Sequence, residues 1–287
     1  MLKKQNVKPS RQLVNKLNDL TAKEWLPETI SVFVQKGLGA GHKNARIEKM
    51  HPAPYSFQDV ARLIRFFTKK NDTVFDPFLG VGSTLKAAAI EGRKGIGIEL
   101  VEKYYKLSLE RLTAETEDAS GQQVIHGDSL KEIKKIPKDS VDLLVTSPPY
   151  WSILNKKPDH KAKERQANNL DLNYSQLKED LANIEKYHDF LKVLSKFFID
   201  CGRILKPKKY MCIVVSDFRH KDQFYLFHSD LAQKIEASGK FKLKGMTVLY
   251  QRHKKIFPYG YPYSYVPNIH HQYIMILQSL KNTDVEK

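Results

Sequence analysis

Thr73-Val74-Phe75-Asp76-Pro77-Phe78-Leu79-Gly80-Val81-Gly82-Ser83-Thr84 reads as a strand, an acidic exit and a glycine turn that opens a helix. The run at 73–75 has the length and apolar character of a buried strand. Pro77 stops it, because proline supplies no backbone donor. Gly80 and Gly82 let the backbone approach a ligand and supply positive φ where the turn needs it. The alanine-rich stretch 85–91 continues as a helix, whose free N–H groups favour a carboxylate or phosphate. Gly92-Arg93-Lys94-Gly95-Ile96-Gly97-Ile98-Glu99 follows as a second strand ending in an acid. That acid lies about twenty residues past the glycines, the spacing at which a carboxylate bonds the hydroxyls of a bound ribose. Strand, glycine turn, helix and strand begin a parallel α/β sheet. The pattern implies a nucleoside-bearing cofactor. A nicotinamide dinucleotide is disfavoured, because Leu85 stands where the third glycine of Gly-X-Gly-X-X-Gly would fall.

A second stretch carries chemistry. Val141-Asp142-Leu143-Leu144-Val145 reads as a buried strand, and Thr146-Ser147-Pro148-Pro149-Tyr150-Trp151 follows it. Two consecutive prolines fix φ and push the preceding residue into an extended conformation, so the loop is stiff. It sits at the carboxyl end of a strand, where open α/β sheets place their ligands. Ser147, the Pro148 carbonyl and the Tyr150 ring suit a planar molecule with an exocyclic amine: two acceptors for its N–H groups and a face to stack on. The competing reading is a strand-terminating turn with a buried aromatic.

The rest of the chain supplies the remaining elements. Helices are expected over 14–20, 57–67, 190–205 and 226–235, and strands over 210–217, 246–250 and 273–277. Thr21-Ala22-Lys23-Glu24 has capping-box spacing. Lys36 to Lys43 is glycine-rich and basic, and reads as a mobile loop that touches nucleic-acid backbone. Asp217 and Arg219, at the exit of the 210–217 strand, either face a base pocket or pair with each other. Arg252-His253-Lys254-Lys255 and the tyrosines that follow interleave charge with rings, a combination suited to a flipped base and its flanking phosphates. At least one of Tyr261, Tyr263 and Tyr265 is expected to pack the last hairpin.

Composition narrows the partners. The 287 residues carry a formal charge of +16, and the pI is near 9.5. Such a balance points to a polyanion, nucleic acid ahead of a membrane surface. No apolar run is long enough to span a membrane. The N-terminus, with Lys3, Lys4, Lys8 and Arg11, lacks the apolar core of a signal peptide. Cys201 and Cys212 lie in apolar surroundings and read as core thiols, which places the protein in a reducing cytoplasm. No metal site is expected.

Taken together, Asp76-Pro77-Phe78-X-Gly80-X-Gly82-Ser83-Thr84, Gly97-Ile98-Glu99 and Ser147-Pro148-Pro149-Tyr150 resemble the amino-methylating DNA methyltransferases. His51-Pro52-Ala53-Pro54-Tyr55 is similar to the motif that precedes the cofactor loop in that family, with Ser56 in place of its usual proline. Tyr259-Gly260-Tyr261-Pro262-Tyr263 and Asn268-Ile269-His270-His271-Gln272-Tyr273 match a recurrent family ending. The resemblance implies a Rossmann-like class I methyltransferase fold, with a mostly parallel seven-stranded sheet and helices on both faces. It implies S-adenosylmethionine as cofactor, held by His51, Asp76, Phe78, Gly80, Gly82, Ser83, Thr84, Glu99 and Asp128. Asp128 has an alternative as a helix N-cap before Leu130.

Catalysis falls by the same resemblance to Ser147, Pro148, Pro149 and Tyr150, acting on a base rotated out of duplex DNA. Residues 1–50 form an N-terminal extension, 51–287 the catalytic domain, and 152–186 an insertion that reads the target. DNA contacts are expected from Trp151, Lys156, Lys157, Lys161, Lys163, Arg165, Arg252, Lys254, Lys255 and Tyr261. Family members with serine at position 147 are mostly cytosine-N4 enzymes, which makes adenine N6 the runner-up and an RNA amine the third candidate. A restriction–modification setting follows in a nucleoid-associated, prokaryotic or phage protein, with double-stranded DNA as partner and a cognate restriction endonuclease as a second.

Overall fold

The computed structural model describes residues 14–35, 45–51, 55–151, 175 and 177–280. Its strands are β1 (Val32–Val34), β2 (Thr73–Asp76), β3 (Lys94–Glu99), β4 (Gln122–His126), β5 (Val141–Thr146), β6 (Leu205–Val215), β7 (Phe218–His220), β8 (Gln223–Tyr225), β9 (Phe241–Tyr250) and β10 (His271–Ser279). Its helices are α1 (Ala22–Trp25), α2 (Ala45–Met50), α3 (Phe57–Phe67), α4 (Ser83–Ile90), α5 (Glu102–Glu115), α6 (Ser129–Glu132), α7 (Tyr187–Cys201) and α8 (Phe227–Glu236). Eight strands form one sheet in the order β1-β9-β10-β6-β5-β2-β3-β4, and β7 and β8 make a separate hairpin. β10 runs antiparallel to both neighbours, and the other pairs in the large sheet are parallel.

The sheet is buried because its strands alternate apolar residues to two covered faces. Val74, Leu143, Val145, Cys212 and Val214 pack with α3 and α4. Phe75, Leu144, Met211, Ile213 and Val215 pack with α7 and α8. Both cysteines are buried free thiols. This is the expected mostly parallel α/β architecture, with one strand more than seven. The additional strand is β1, which pairs Val32 with Val248 and Val34 with Tyr250 at the sheet edge.

Three sequence expectations are corrected. Residues 14–20 are not a helix: Asn15 Oδ1 accepts from Leu17 N and Asn18 N at 3.0 and 3.2 Å, and Asn18 Nδ2 reaches the Phe66 carbonyl at 2.5 Å. Asparagine side chains here satisfy the backbone locally and outcompete the helix ladder. The helix expected over 190–205 ends at Cys201, and Lys206-Pro207 lies inside β6. Register with β5 skips from Leu205 to Tyr210, so Pro207 interrupts no ladder bond. Strands β9 and β10 are longer than their apolar cores suggested. The Thr21 capping box is present as expected.

β2, β3, β5, β6 and β9 all end on one edge of the sheet, and the connections that follow them crowd together there. No helix among the described residues is long and apolar enough to cross a membrane.

Candidate active site

At that edge a cleft of about 680 Å³, open mouth included, is lined by Phe78, Gly80, Glu99, Asp128, Ser147 and Pro149, among others. The two sequence stretches that carried the functional reading therefore meet in one place. Parallel pairing explains it: β2 lies between β3 and β5, so the turns after all three strands rise side by side.

Asp76 fixes this convergence from behind. Its carboxylate accepts from Thr146 Oγ1 at 2.6 Å, Tyr55 OH at 2.9 Å and Phe78 N at 3.0 Å, and from Thr84 Oγ1. Burial pushes its carboxyl up while these donors pull it down. One carboxylate thus ties the end of β2 to the end of β5, to the start of α4 and to Tyr55. Asp76 and Thr84 were expected at the cofactor; they are fully buried and stand outside the cleft lining. Ser83 and Gly82 are also set back. Ser83 Oγ accepts from Arg111 Nη1 at 2.9 Å, and Gly82 caps α4 with φ +83°. Of the glycine turn, Gly80 lines the cleft, and Gly82, Ser83 and Thr84 stand behind it.

Gly80 and Glu99 line the cleft itself. Gly80 has φ +56°, and its N–H donates to Glu99 Oε2 at 2.7 Å. A Cβ at Gly80 would stand 3.3 Å from His51 Nε2, so glycine lets His51 close over the turn. The other Glu99 oxygen accepts from Val101 N at 2.8 Å. Desolvation raises the Glu99 carboxyl to about 7, against the pull of those two N–H groups. His51 stacks edge-on against Tyr104 with centroids 4.7 Å apart, and both line the cleft. Asp128 caps α6 by accepting from Leu130 N at 2.9 Å, as one of its two readings expected, and it also lines the cleft.

Ser147 and Pro149 face the cleft, while Tyr150 stands just beyond them. Gln272 Nε2, on β10, donates to the Tyr150 hydroxyl at 3.4 Å. Its ring packs 6.1 Å from Phe227, and burial pushes its hydroxyl up to about 12. Asp217 pairs with His228, which brings Nδ1 to 2.6 Å and its backbone N–H to 3.2 Å. The His228 ring stacks on Tyr273 at 3.8 Å.

Two surface expectations change. Trp151, expected at DNA, is 6% exposed. Its ring lies among Tyr187, Phe218, His220 and Tyr225, and its Nε1–H donates to the Ile184 carbonyl at 2.8 Å. A large ring with one donor gains more from that buried site than from solvent. Conversely, Tyr261, Tyr263 and Tyr265 are 81%, 93% and 86% exposed, so none packs the hairpin. Asn268 anchors that loop instead, pairing its side-chain amide with Phe257 N and O at 2.9 and 2.8 Å. Arg252, Lys254 and Lys255 are exposed on the same loop. Because the loop joins β9 to β10, it stands on the same edge of the sheet as the cleft. Lys156, Lys157, Lys161, Lys163, Arg165 and the basic stretch 36–43 lie outside the described residues.

Sequence reasoning missed Tyr104, Leu100 and Val101, which follow directly from Glu99 and could have been placed by proximity. It also missed Asp180 and Leu181, which no local pattern marks, and the bond from Gln272 to Tyr150.

The model of the family described as DNA methylase, the N6/N4 methyltransferases, matches residues 2–110 and 141–286. The chain belongs to that family. Among the chain's relatives, the orphan methyltransferase M.BamHII of Bacillus amyloliquefaciens is 37% identical over 75 residues, 25% of this chain and 28% of that protein. The type II methyltransferase M.MthZI of Methanothermobacter thermautotrophicus is 40% identical over 89 residues, 31% of this chain and 24% of its own length. The matches thus span about a quarter of the relatives' length. TrmN from Thermus thermophilus, a solved structure, aligns over 78% of this chain and 48% of its own, at 17% identity and TM-score 0.48.

The donor set of the cleft fits S-adenosylmethionine. Glu99 is a buried carboxylate met by two backbone N–H groups and by no cationic side chain among the described residues, which leaves lone pairs for ribose hydroxyls. Phe78 offers a face, and Asp128 an acceptor for an amine.

Proposed function

We propose that the protein transfers a methyl group from S-adenosylmethionine to an exocyclic amine in duplex DNA, cytosine N4 ahead of adenine N6. The observation that carries this reading is that the Ser147-Pro148-Pro149 loop opens onto the same cleft as Glu99 and Gly80.

In this mechanism Glu99 would hold the ribose hydroxyls, His51 and Phe78 the flanks of the cofactor, and Asp128 its adenine amine. The cofactor supplies an electrophilic methyl on a sulfonium. Ser147 Oγ and the Pro148 carbonyl accept the two N–H bonds of the target amine, and the Tyr150 ring supports the base from one face. Holding both N–H groups aims the nitrogen lone pair at the methyl, so most of the catalysis is positioning; as the N–C bond forms the S–C bond breaks to leave a neutral thioether, and the amine sheds one of the two protons to water. Tyr150 stays a phenol throughout, because burial keeps its hydroxyl near 12. Arg252, Lys254, Lys255 and Tyr261 stand on the same edge and would meet the phosphates and bases beside the flipped nucleotide. A cognate restriction endonuclease fits this reading as partner.

Expression in a host free of DNA methylation, followed by long-read sequencing of the host DNA, tests the proposal. N4-methylcytosine in one motif is the expected result. N6-methyladenine would keep the mechanism and overturn the assignment of the base from Ser147. Unmodified DNA together with cofactor binding by the purified protein would move the substrate to RNA.

A further inference from the structure

The limb that returns from the 152–186 insertion is a wall of the cofactor cleft. Trp151, at the entry, and Ile184, near the exit, are joined by the indole hydrogen bond of 2.8 Å, so the excursion leaves and re-enters the fold at one point. Just before that exit, Asp180 caps the 3-10 turn Leu181–Asn183, accepting from Ala182 N at 2.9 Å and from Ser175 Oγ at 2.8 Å. Asn183 Nδ2 closes the same loop onto the Leu177 and Ser175 carbonyls at 3.0 and 3.2 Å. Residues 175 and 177–184 are therefore a self-bonded clasp.

Glu179, Asp180 and Leu181 line the cleft, and Asp180 and Leu181 are 6% and 7% exposed. Their position along the cleft is fixed by neighbours. Lys131 Nζ lies 3.5 Å from Asp128 and 3.9 Å from Glu179, so Glu179 borders the end where Asp128 sits. Asp180 is close enough to Glu99 to raise its carboxyl further. The clasp thus faces the part of the cleft between Asp128 and Glu99, where the adenine and ribose of the cofactor would lie.

Resting on the reading of this cleft as the S-adenosylmethionine site, we propose that the clasp is a further cofactor-binding element. Leu181 packs on the adenosine part, and Asp180 is the positioning residue that holds Leu181 there. A cationic sulfonium with an amine and two hydroxyl donors is the class of ligand that an acidic wall with one apolar contact suits.

The test uses the full chain and S-adenosylhomocysteine, so no turnover is needed. Calorimetry gives its Kd, and urea denaturation of the ligand-free protein gives the stability of each variant. Asp180→Ala is expected to raise the Kd about tenfold. Asp180→Ser, which keeps an N-cap acceptor, should recover most of that affinity. Should Asp180→Ala fail to fold, Ser175→Ala, which removes one clasp bond, carries the same readout. Wild-type protein that binds no S-adenosylhomocysteine would overturn the cofactor reading and this inference with it. Wild-type protein that binds it, with variants equal in Kd, would overturn the inference alone.

Discussion

Replacing Glu99 by Gln is expected to move stability and cofactor affinity in opposite directions. In the free protein burial raises the Glu99 carboxyl from 4.5 to about 7. At about 1.36 kcal/mol per pH unit, that displacement is worth roughly 3 kcal/mol between protonation states. The folded value lies above the unfolded one, so the folded state binds the proton more tightly. The associated stability is complete below about pH 4.5 and is lost as pH rises through about 7. At pH 8 the wild type bears the full cost of a buried carboxylate. Glutamine removes that cost but turns an NH₂ group toward either Gly80 N or Val101 N, which forfeits roughly 1–2 kcal/mol.

The variant should therefore be more stable than wild type at pH 8 by about 1–2 kcal/mol, and no more stable at pH 5. Its affinity for S-adenosylhomocysteine should fall roughly 10–100-fold at pH 8, the loss of a charged acceptor from hydroxyl donors. Wild-type affinity should weaken about tenfold per unit below pH 7, and that of the variant should be flat. Urea denaturation at pH 5 and pH 8, with calorimetry at both, measures all of this. Equal destabilisation at the two pH values, or a pH-independent wild-type Kd, would refute the argument.

Ser147→Ala should lower single-turnover methyl transfer roughly tenfold or more by removing one acceptor of the target amine, while the Kd for S-adenosylhomocysteine stays unchanged; a weakened Kd would relocate Ser147 to cofactor binding. Asp76→Ala should cost roughly 3 kcal/mol or more in urea denaturation, because it leaves buried donors from Thr146, Tyr55 and Phe78 without a partner; a loss below about 1 kcal/mol would contradict its role as the junction. Lys255→Ala should weaken duplex binding equally on all sequences and reduce the slope of log K against log salt by about 0.9, as filter binding across a salt series would show; an unchanged slope would remove Lys255 from the phosphate contacts.

How much was legible in the sequence varied with how local the cause was. The glycine turn, the Glu99 strand end and the double-proline loop each follow from backbone rules acting within a few residues, and each is where it was expected. What Asp76 does was not legible, because its decisive partner Thr146 is 70 residues away and meets it only through the pairing of β2 with β5. Trp151 looked like a ligand contact because it follows a ligand loop, yet the rings that enclose it come from α7 and the β7–β8 hairpin. The three exposed tyrosines erred the other way: their spacing suits a packed turn, but Asn268 already holds that turn. The clasp at Asp180 was hidden inside a stretch whose polar composition says only that it is a loop.

The Thr146–Asp76 bond has a consequence for how such a protein can change. It fastens the chain one residue before Ser147, and the two prolines stiffen it immediately after. The path of the loop is therefore fixed by backbone constraints on either side of position 147, and the Ser147 side chain adds a bond to the Tyr150 hydroxyl. A substitution at that position would change the acceptor that the loop offers to the cleft, while Asp76 and the two prolines keep the backbone in place.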